Sequence, residues 1–311
     1  AVIRIVRGKT MRLRIINGGA MFAYHVCIDS HKFRVTATDA ADTQPLEVDC
    51  VNLHVAERYD VLITANGDKK SNPGGLYLIR VQTLEFELNH TTYGVLQYVE
   101  EGESPPLTAL PTTVQDKPWN ERVVANCFDF GGITEGKCYP LTELKRHPRM
   151  PRKGPGGQVW DDPSVENIVT HDFGFRMTAP PETGNFVRMG YQDGHELEDY
   201  LEGEYIQNEL PLLPPTVYGQ NSSFHPHSVV LNIGHMENVR IVFNHPDRMT
   251  HPIHLHGHKF HVMGIGYGKP EDCSLIFCTK EHFDSKNPEH RKKLVSPNEA
   301  ILKDSVVMPA G

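Results

Sequence analysis

Short runs in which apolar and polar residues alternate follow one another along the first hundred positions. In MRLRIIN (11–17), Met11, Leu13 and Ile15 alternate with arginines. Side chains two positions apart share a face of a strand, so this pattern predicts a strand with one buried face. Comparable runs are VIRIV (2–6), KFRVTAT (32–38), YDVLITA (59–65), LYLIRVQ (76–82) and YGVLQYV (93–99). Many short strands with turn signals between them predict an antiparallel sandwich or barrel.

A change of composition after residue 100 separates two such blocks. EEGESPPLTALP (100–111) and RHPRMPRKGPGG (146–157) are rich in Pro and Gly, which is typical of connecting segments. The alternating pattern resumes later, in VVLNI (229–233), VRIVF (239–243), KFHVMGI (259–265) and DSVVM (304–308). We therefore expect an all-β protein with β domains over 1–118 and 166–311 and an irregular connection over 119–165.

Composition and charge narrow the class of protein further. Hydrophobic residues make up 39% and charged residues 23% of the 311 positions, as in ordinary globular proteins. The net charge of −8 disfavours nucleic acid as a partner. No apolar run approaches the roughly 18–20 residues that span a bilayer, so no transmembrane segment is expected in this stretch.

Cysteines and glycosylation sequons point to an oxidising compartment. The six cysteines include no CxxC pair, and an even number fits disulfides, although buried free thiols remain an alternative. Two N-x-S/T sequons begin at Asn89 and Asn221. These features favour a secreted glycoprotein. Two local pairings are expected, Cys273 with Cys278 and Cys127 with Cys138; pairing with a domain outside this chain is the alternative.

The segment THPIHLHGHKFHVMG (250–264) carries the candidate chemistry. Five histidines fall within eleven residues, at positions 251, 254, 256, 258 and 261. The spacing predicts that His254, His256 and His258 begin on one face of a strand, with Gly257 relieving crowding, and that His251 precedes the strand beyond Pro252. Imidazole suits Cu, Zn, Fe and Ni. A zinc hydrolase is disfavoured, because no acidic residue is interleaved as a general base.

The sequence HPIHLHGHKFHVMGIGYG resembles the H-P-x-H-L-H-G-H segment in the final cupredoxin domain of multicopper oxidases, laccases in particular. Upstream, MRLRIINGGA, VCIDSHKFRVTATDA and PLEVDCVNLHVAERYDVLITAN are similar to the second domain of animal-type laccases, and LKDSVVMPAG resembles a strand near that family's last copper motif. The resemblance implies two incomplete cupredoxin-like Greek-key β-sandwich domains.

The resemblance also implies roles for three histidines. His251 matches a ligand of the type 1 copper, which receives electrons singly from the donor. His254 matches a ligand of the type 2 copper, and His256 matches one of the type 3 pair, where O2 is reduced to water. His258 and His261 are not ligands in that pattern. Copper is the implied cofactor, and a phenol-like donor and O2 are the implied partners.

Other ligands of such an enzyme are not found in the sequence. In this family the type 1 thiolate lies in an H-C-H-x-x-x-H motif, and further ligands come from H-x-H pairs in the first domain. Both ends of the chain look cut, so we expect a fragment of a secreted laccase-like oxidase that is inactive alone. A ferroxidase and a non-catalytic copper-binding cupredoxin module are the alternatives.

Three residues depart from the resembled family at turns. Ser30, Ala40 and Ala56 stand where many relatives carry glycine. Glycine at a turn often has a positive φ, where a Cβ costs about 1 kcal/mol. These changes suggest a divergent member whose turns have been adjusted.

Overall fold

The described part of the molecule is almost entirely β-structure. The computed structural model describes residues 1–67, 72, 74–84, 90–107, 110–111, 121–127, 137–149, 168–178, 186–192, 233–234, 238–244, 250–266 and 287–309, with the backbone alone for 168–178, 186–192 and 244. The predicted strand at 229–233 falls almost wholly outside these residues, as do Asn89, Asn221, Cys273 and Cys278.

The strands follow the chain in two groups. The first contains β1 (Val2–Val6), β2 (Thr10–Ile16), β3 (Tyr24–Ile28), β4 (Phe33–Thr38), β5 (Ala41–Val48), β6 (Cys50–Leu53), β7 (Arg58–Thr64), β8 (Leu76–Thr83), β9 (Thr91–Val99), β10 (Val123–Ala125) and β11 (Lys137–Tyr139). The second contains β12 (Ile168–Thr178), β13 (Phe186–Gln192), β14 (Asn238–Asn244), β15 (His251–His254), β16 (Phe260–His261), β17 (Leu302–Lys303) and β18 (Ser305–Met308). The helix α1 (Pro288–Arg291) and a 3-10 turn (Leu141–Glu143) lie between strands.

The first group forms a β-sandwich. In the described residues, one sheet has the order β1-β9-β8-β3-β6-β10-β11 and the other the order β2-β7-β4-β5. Phe33 and Val61 from the second sheet and Val51 and Leu96 from the first are fully buried in a shared core. β2 contributes its alternating Met11, Leu13 and Ile15 to the edge of that core, as its pattern predicts.

The expected connection also contributes to this sandwich. β10 pairs in parallel with both β6 and β11, although all of β10 and β11 lies within 119–165. The domain limits at 118 and 165 remain a prediction.

Strands of the second group lie in smaller sheets. β12 pairs antiparallel with β13 and parallel with β14, β15 pairs with β18, and β16 pairs with β17. Val262 and Ile301, which flank the β16–β17 pair, are buried in the same hydrophobic cluster as the sandwich core. This packing holds the histidine segment against the first sandwich.

Three turns keep a glycine-like backbone without glycine. The φ angles are 57° at Ser30, 59° at Ala40 and 65° at Ala56. All three residues have the left-handed backbone that glycine favours, and their Cβ atoms are accommodated within it. That these turns are adjusted relative to the family stays a prediction. All three residues lie in turns or between strands, where the chain must reverse.

Two disulfides join cysteines that lie in neighbouring strands or directly after one of them. The predicted Cys127–Cys138 bridge is confirmed, with Cα atoms 5.8 Å apart. A second bridge joins Cys27 to Cys50, which are cross-strand partners on β3 and β6 with Cα atoms 4.6 Å apart. This pairing was not predicted, because it depends on a strand pairing that the sequence alone did not indicate.

Candidate metal centre

The histidine segment runs from strand β15 through a turn into strand β16. In β15, His251 pairs with Met308 and His254 with Ser305 of β18. The chain then turns at His256 and Gly257, with Gly257 at φ +75°. The sequence prediction placed the break at Pro252 and a continuous strand beyond it, which is wrong. Pro252 fits within this short two-stranded ladder, and Gly257 serves the turn instead of relieving crowding in a strand.

Strand alternation separates the first histidine from the second. His251 and Ile253 are half-buried, whereas Pro252 and His254 are exposed. Three positions along a strand place two side chains on opposite faces. His251 therefore faces the protein and His254 faces outward. Strand alternation is thus the cause of their different directions.

His254 and His256 form a pair of neighbouring imidazoles. Their ring centroids are 4.9 Å apart, and both residues are exposed. His254 Nδ1 lies 2.7 Å from the carbonyl oxygen of Asp304 and 2.9 Å from Ser305 Oγ. Because a carbonyl oxygen only accepts, Nδ1 carries the proton, and the Nε2 lone pair is presented for a metal.

His251 lies against a histidine that the sequence interpretation did not single out. His54 is buried and its Nδ1 accepts from the N–H of Val55 at 2.8 Å, so its Nε2–H donates to Thr250 Oγ1 at 3.1 Å. Burial, and then the charge of His251, lower the pKa of His54 to about 4. Burial also lowers the pKa of His251. Both shifts favour the neutral form of the imidazole, which is the form that binds metals.

The other two histidines of the segment differ in surroundings. His258 is exposed. His261 is half-buried in β16, where its Nδ1 lies 3.3 Å from the carbonyl oxygen of Ala300, and burial lowers its pKa. The His261 ring thus contacts the backbone of the adjacent segment at Ala300, which is consistent with a packing role.

The donor set of this segment fits copper, with imidazole nitrogens as the available ligands. In the described residues, the cysteines are all in disulfides, so none of them offers a thiolate. His25, Cys27 and Cys50 also cluster within 4.8 Å in the interior. Their two sulfurs are bonded to each other, which leaves the histidine segment as the better metal site within the described chain.

A buried charge network lies beneath the segment. Lys303 Nζ lies 3.1 Å from Asp39 Oδ2, 3.2 Å from Glu57 Oε1 and 2.8 Å from Thr38 Oγ1. Arg58 binds Asp304 through two hydrogen bonds of 2.5 and 2.7 Å, and this contact lowers the pKa of Asp304. Sequence reasoning missed this network. Its one local sign was the charged run KD (303–304) inside an apolar strand pattern.

Comparison with known proteins assigns this fold and segment to a family. Two family models described as multicopper oxidase match residues 1–101 and 194–311. The chain belongs to the multicopper oxidase family, whose members use copper as their cofactor, and the resemblance seen in the sequence is confirmed at that level.

Similar curated proteins include both iron-related oxidases and laccases. The iron transport multicopper oxidase fio1 of Schizosaccharomyces pombe is 27% identical over 95% of this chain and 41% of its own length. Laccase-4 of Thanatephorus cucumeris is 27% identical over 87% of this chain and 44% of its own length. The chain thus spans less than half of these relatives.

Solved structures agree on the fold. Fet3p, described as a multicopper oxidase that functions in iron import, superposes with a TM-score of 0.62 at 16% identity, covering 99% of this chain and 50% of Fet3p. The laccase from Botrytis aclada gives a TM-score of 0.60 at 19% identity, covering 100% of this chain and 46% of the laccase. These matches confirm the predicted all-β, cupredoxin-like fold class.

Proposed function

We propose that this chain is part of a laccase-like copper oxidase and that His251, His254 and His256 are copper ligands in it. The observation that carries the proposal is the His254–His256 pair, with adjacent exposed rings and the Nδ1–H of His254 fixed by a carbonyl. His251, on the opposite face of β15, serves a separate centre. Bound copper would supply one-electron chemistry, so that four donor oxidations balance the reduction of one O2 to two H2O.

Secretion is part of the proposal. Two disulfides in the described residues and two sequons in the sequence favour an oxidising compartment. No helix in the described part of the chain has the length and apolar character needed to cross a bilayer.

Ferroxidase activity is the second candidate, and it is favoured by the iron-related names of fio1 and of fer1 from Mycosarcoma maydis among the relatives. The two candidate activities use the same histidine segment and differ in the electron donor. A phenolic donor and Fe(II), assayed with O2 consumption on the same preparation, separate them.

The experiment measures copper content and oxidase activity of the protein containing this chain, produced with copper. We expect bound copper, and loss of copper and activity in His254→Ala and His256→Ala, whereas the exposed His90→Ala serves as a control. Oxidation of the phenol in preference to Fe(II) supports the laccase-like assignment, and the reverse supports the ferroxidase. If the unsubstituted protein retains no copper, both oxidase assignments are wrong, and a structural cupredoxin module remains.

A further inference from the structure

The orientation of His254 depends on one peptide group. The carbonyl of Asp304 accepts from His254 Nδ1 at 2.7 Å. The N–H of the same peptide group, which belongs to Ser305, donates to Asp39 Oδ2 at 3.1 Å. Asp39 and His254 therefore lie at the two ends of one hydrogen-bonded chain that passes through the Asp304–Ser305 peptide. Hydrogen bonds in such a chain polarise one another, so the Asp39 carboxylate strengthens the carbonyl as an acceptor.

The Asp39 carboxylate is held by the first sandwich and by Lys303. Its side chain is completely buried. Asp39 Oδ1 accepts a hydrogen bond from the backbone N–H of Arg58 at 3.0 Å, and Asp39 Oδ2 lies 3.1 Å from Lys303 Nζ. Asp39 has φ +48°, a left-handed conformation that aspartate and asparagine adopt more readily than most residues. The position of this carboxylate is thus set by the backbone turn that follows β4.

Arg58 fixes the same peptide from another side. Its guanidinium binds both carboxylate oxygens of Asp304, at 2.5 and 2.7 Å. A bidentate pair restrains both the distance and the plane of the carboxylate. Because Asp304 supplies the carbonyl that His254 contacts, restraint of its side chain also restrains the direction of that carbonyl.

We propose that Asp39 and Arg58 are positioning residues for His254, Asp39 acting through the Asp304–Ser305 peptide group and Arg58 through the Asp304 carboxylate. The inference rests on the proposed function, in which His254 Nε2 binds copper. Residues of the first sandwich thereby set the direction and donor strength of a ligand carried by the second strand group. Groups that act on a ligating histidine in this way typically change metal affinity 10- to 100-fold.

A second part of the molecule offers a matched control. The carbonyl of Asp29 accepts from His31 Nδ1 at 2.7 Å, and its carboxylate binds Arg80 through contacts of 2.6 and 2.9 Å. These contacts have the same chemistry as those of Asp304 with Arg58 and His254. Here, however, the carbonyl contacts a buried histidine outside the histidine segment. Arg80→Lys therefore reproduces the loss of a bidentate pair without touching His254.

The test uses the copper-loaded protein and compares Asp39→Asn and Arg58→Lys with Arg80→Lys. The Asp39→Asn substitution keeps the shape and the backbone conformation of aspartate while removing its charge. Copper affinity is measured by competition with a chelator, and the Cu(II) environment by electron paramagnetic resonance. We expect a 10- to 100-fold loss of affinity at one site and a changed copper hyperfine splitting in Asp39→Asn and Arg58→Lys, with both unchanged in Arg80→Lys.

Each result has a defined meaning. If the spectra and affinities of Asp39→Asn and Arg58→Lys match those of Arg80→Lys, the positioning role is overturned. If His254→Ala itself leaves copper content and spectrum unchanged, the ligand assignment under the proposed function fails instead. Should one of these two variants not fold, the other provides the same comparison with Arg80→Lys.

A further readout needs no metal. Correlation spectra of 15N-labelled histidine report whether His254 keeps its proton on Nδ1. In Asp39→Asn we expect the proton to be distributed between the two ring nitrogens.

Discussion

His31 lies in a buried pocket formed mainly by tyrosines. Its Nδ1–H donates to the Asp29 carbonyl, so its Nε2 accepts from the Tyr98 hydroxyl at 2.6 Å. The Tyr77 ring packs edge-on at 4.6 Å, and the Asp29–Arg80 ion pair lies alongside. Burial lowers the pKa of His31 below 6.5, against the opposing influence of Asp29. Burial likewise raises the pKa of Tyr98 to about 12. The folded protein therefore holds both groups neutral.

This pocket predicts a pH dependence of stability. Below pH 6.5 the unfolded chain binds a proton at His31 that the folded chain excludes, so the free energy of unfolding falls as pH decreases from 6.5 towards the folded pKa. We expect His31→Gln to flatten the profile in that window, with a lower value at neutral pH because the Tyr98 contact is weakened. Urea unfolding at several pH values measures this, with exposed His90→Gln as control. Parallel profiles for the protein and His31→Gln would contradict the assignment.

Adjacent alanines after β4 have opposite backbone requirements. Ala40 has φ +59°, whereas Ala41 begins β5 and is buried. Relief of the left-handed strain exceeds the added flexibility of glycine, so Ala40→Gly should stabilise the protein by about 0.5–1 kcal/mol. Ala41→Gly should destabilise it by about 1 kcal/mol, since a strand residue loses its side chain. Urea midpoints of the pair test the contrast, and equal losses in both variants would refute it.

At the scale of single elements, the β3–β6 pair is fastened by the Cys27–Cys50 bridge, which closes a sequence separation of 23 residues. Replacing both cysteines with alanine should lower the free energy of unfolding by about 3 kcal/mol, because the unfolded chain gains freedom. Cys127→Ala/Cys138→Ala, with a separation of 11, should cost about 0.6 kcal/mol less, as expected for halving the loop. Denaturant unfolding of both double variants measures the difference. An unchanged midpoint for the β3–β6 variant would show that its ladder alone suffices.

Strands were predictable from the sequence where one face is buried and the other is not. β2 and β7 alternate along their whole length, and their patterns predicted them correctly. β3 and β6 are buried at nearly every position, so no alternation marks them. β5 contains Pro45, which favours a loop in sequence but is tolerated because β5 is an edge strand.

The candidate site was predictable in part for a related reason. The histidine motif is local, so its residues could be found from spacing and resemblance. The contacts of Asp39 and Arg58 with residues 304 and 305 join positions more than 240 apart. Such pairings depend on how two strand groups pack, which no local pattern encodes.

At the scale of the whole molecule, Lys303 joins the two strand groups. Its ammonium group is fully buried between Asp39 and Glu57. Lys303→Met should destabilise the protein by about 3–5 kcal/mol, because two buried carboxylates lose their partner. Adding Glu57→Gln should recover part of this loss, since one of the two charges is then removed. A double-mutant cycle by urea unfolding measures the coupling, and strictly additive losses would argue against a shared charge network.

The span of the Asp39–Ser305 contact, 266 residues, has a consequence for the order of events in folding. Strands of the first sandwich pair over much shorter separations, and closing a longer loop costs more entropy, so the sandwich can form before the chain reaches the histidine segment. The carbonyl that aims His254 is fixed only when residues 303–305 dock on that finished sandwich. A metal ion arriving earlier meets a rotating imidazole, and one arriving later meets an oriented ligand. His254 is therefore oriented for metal binding only after residues 303–305 have docked.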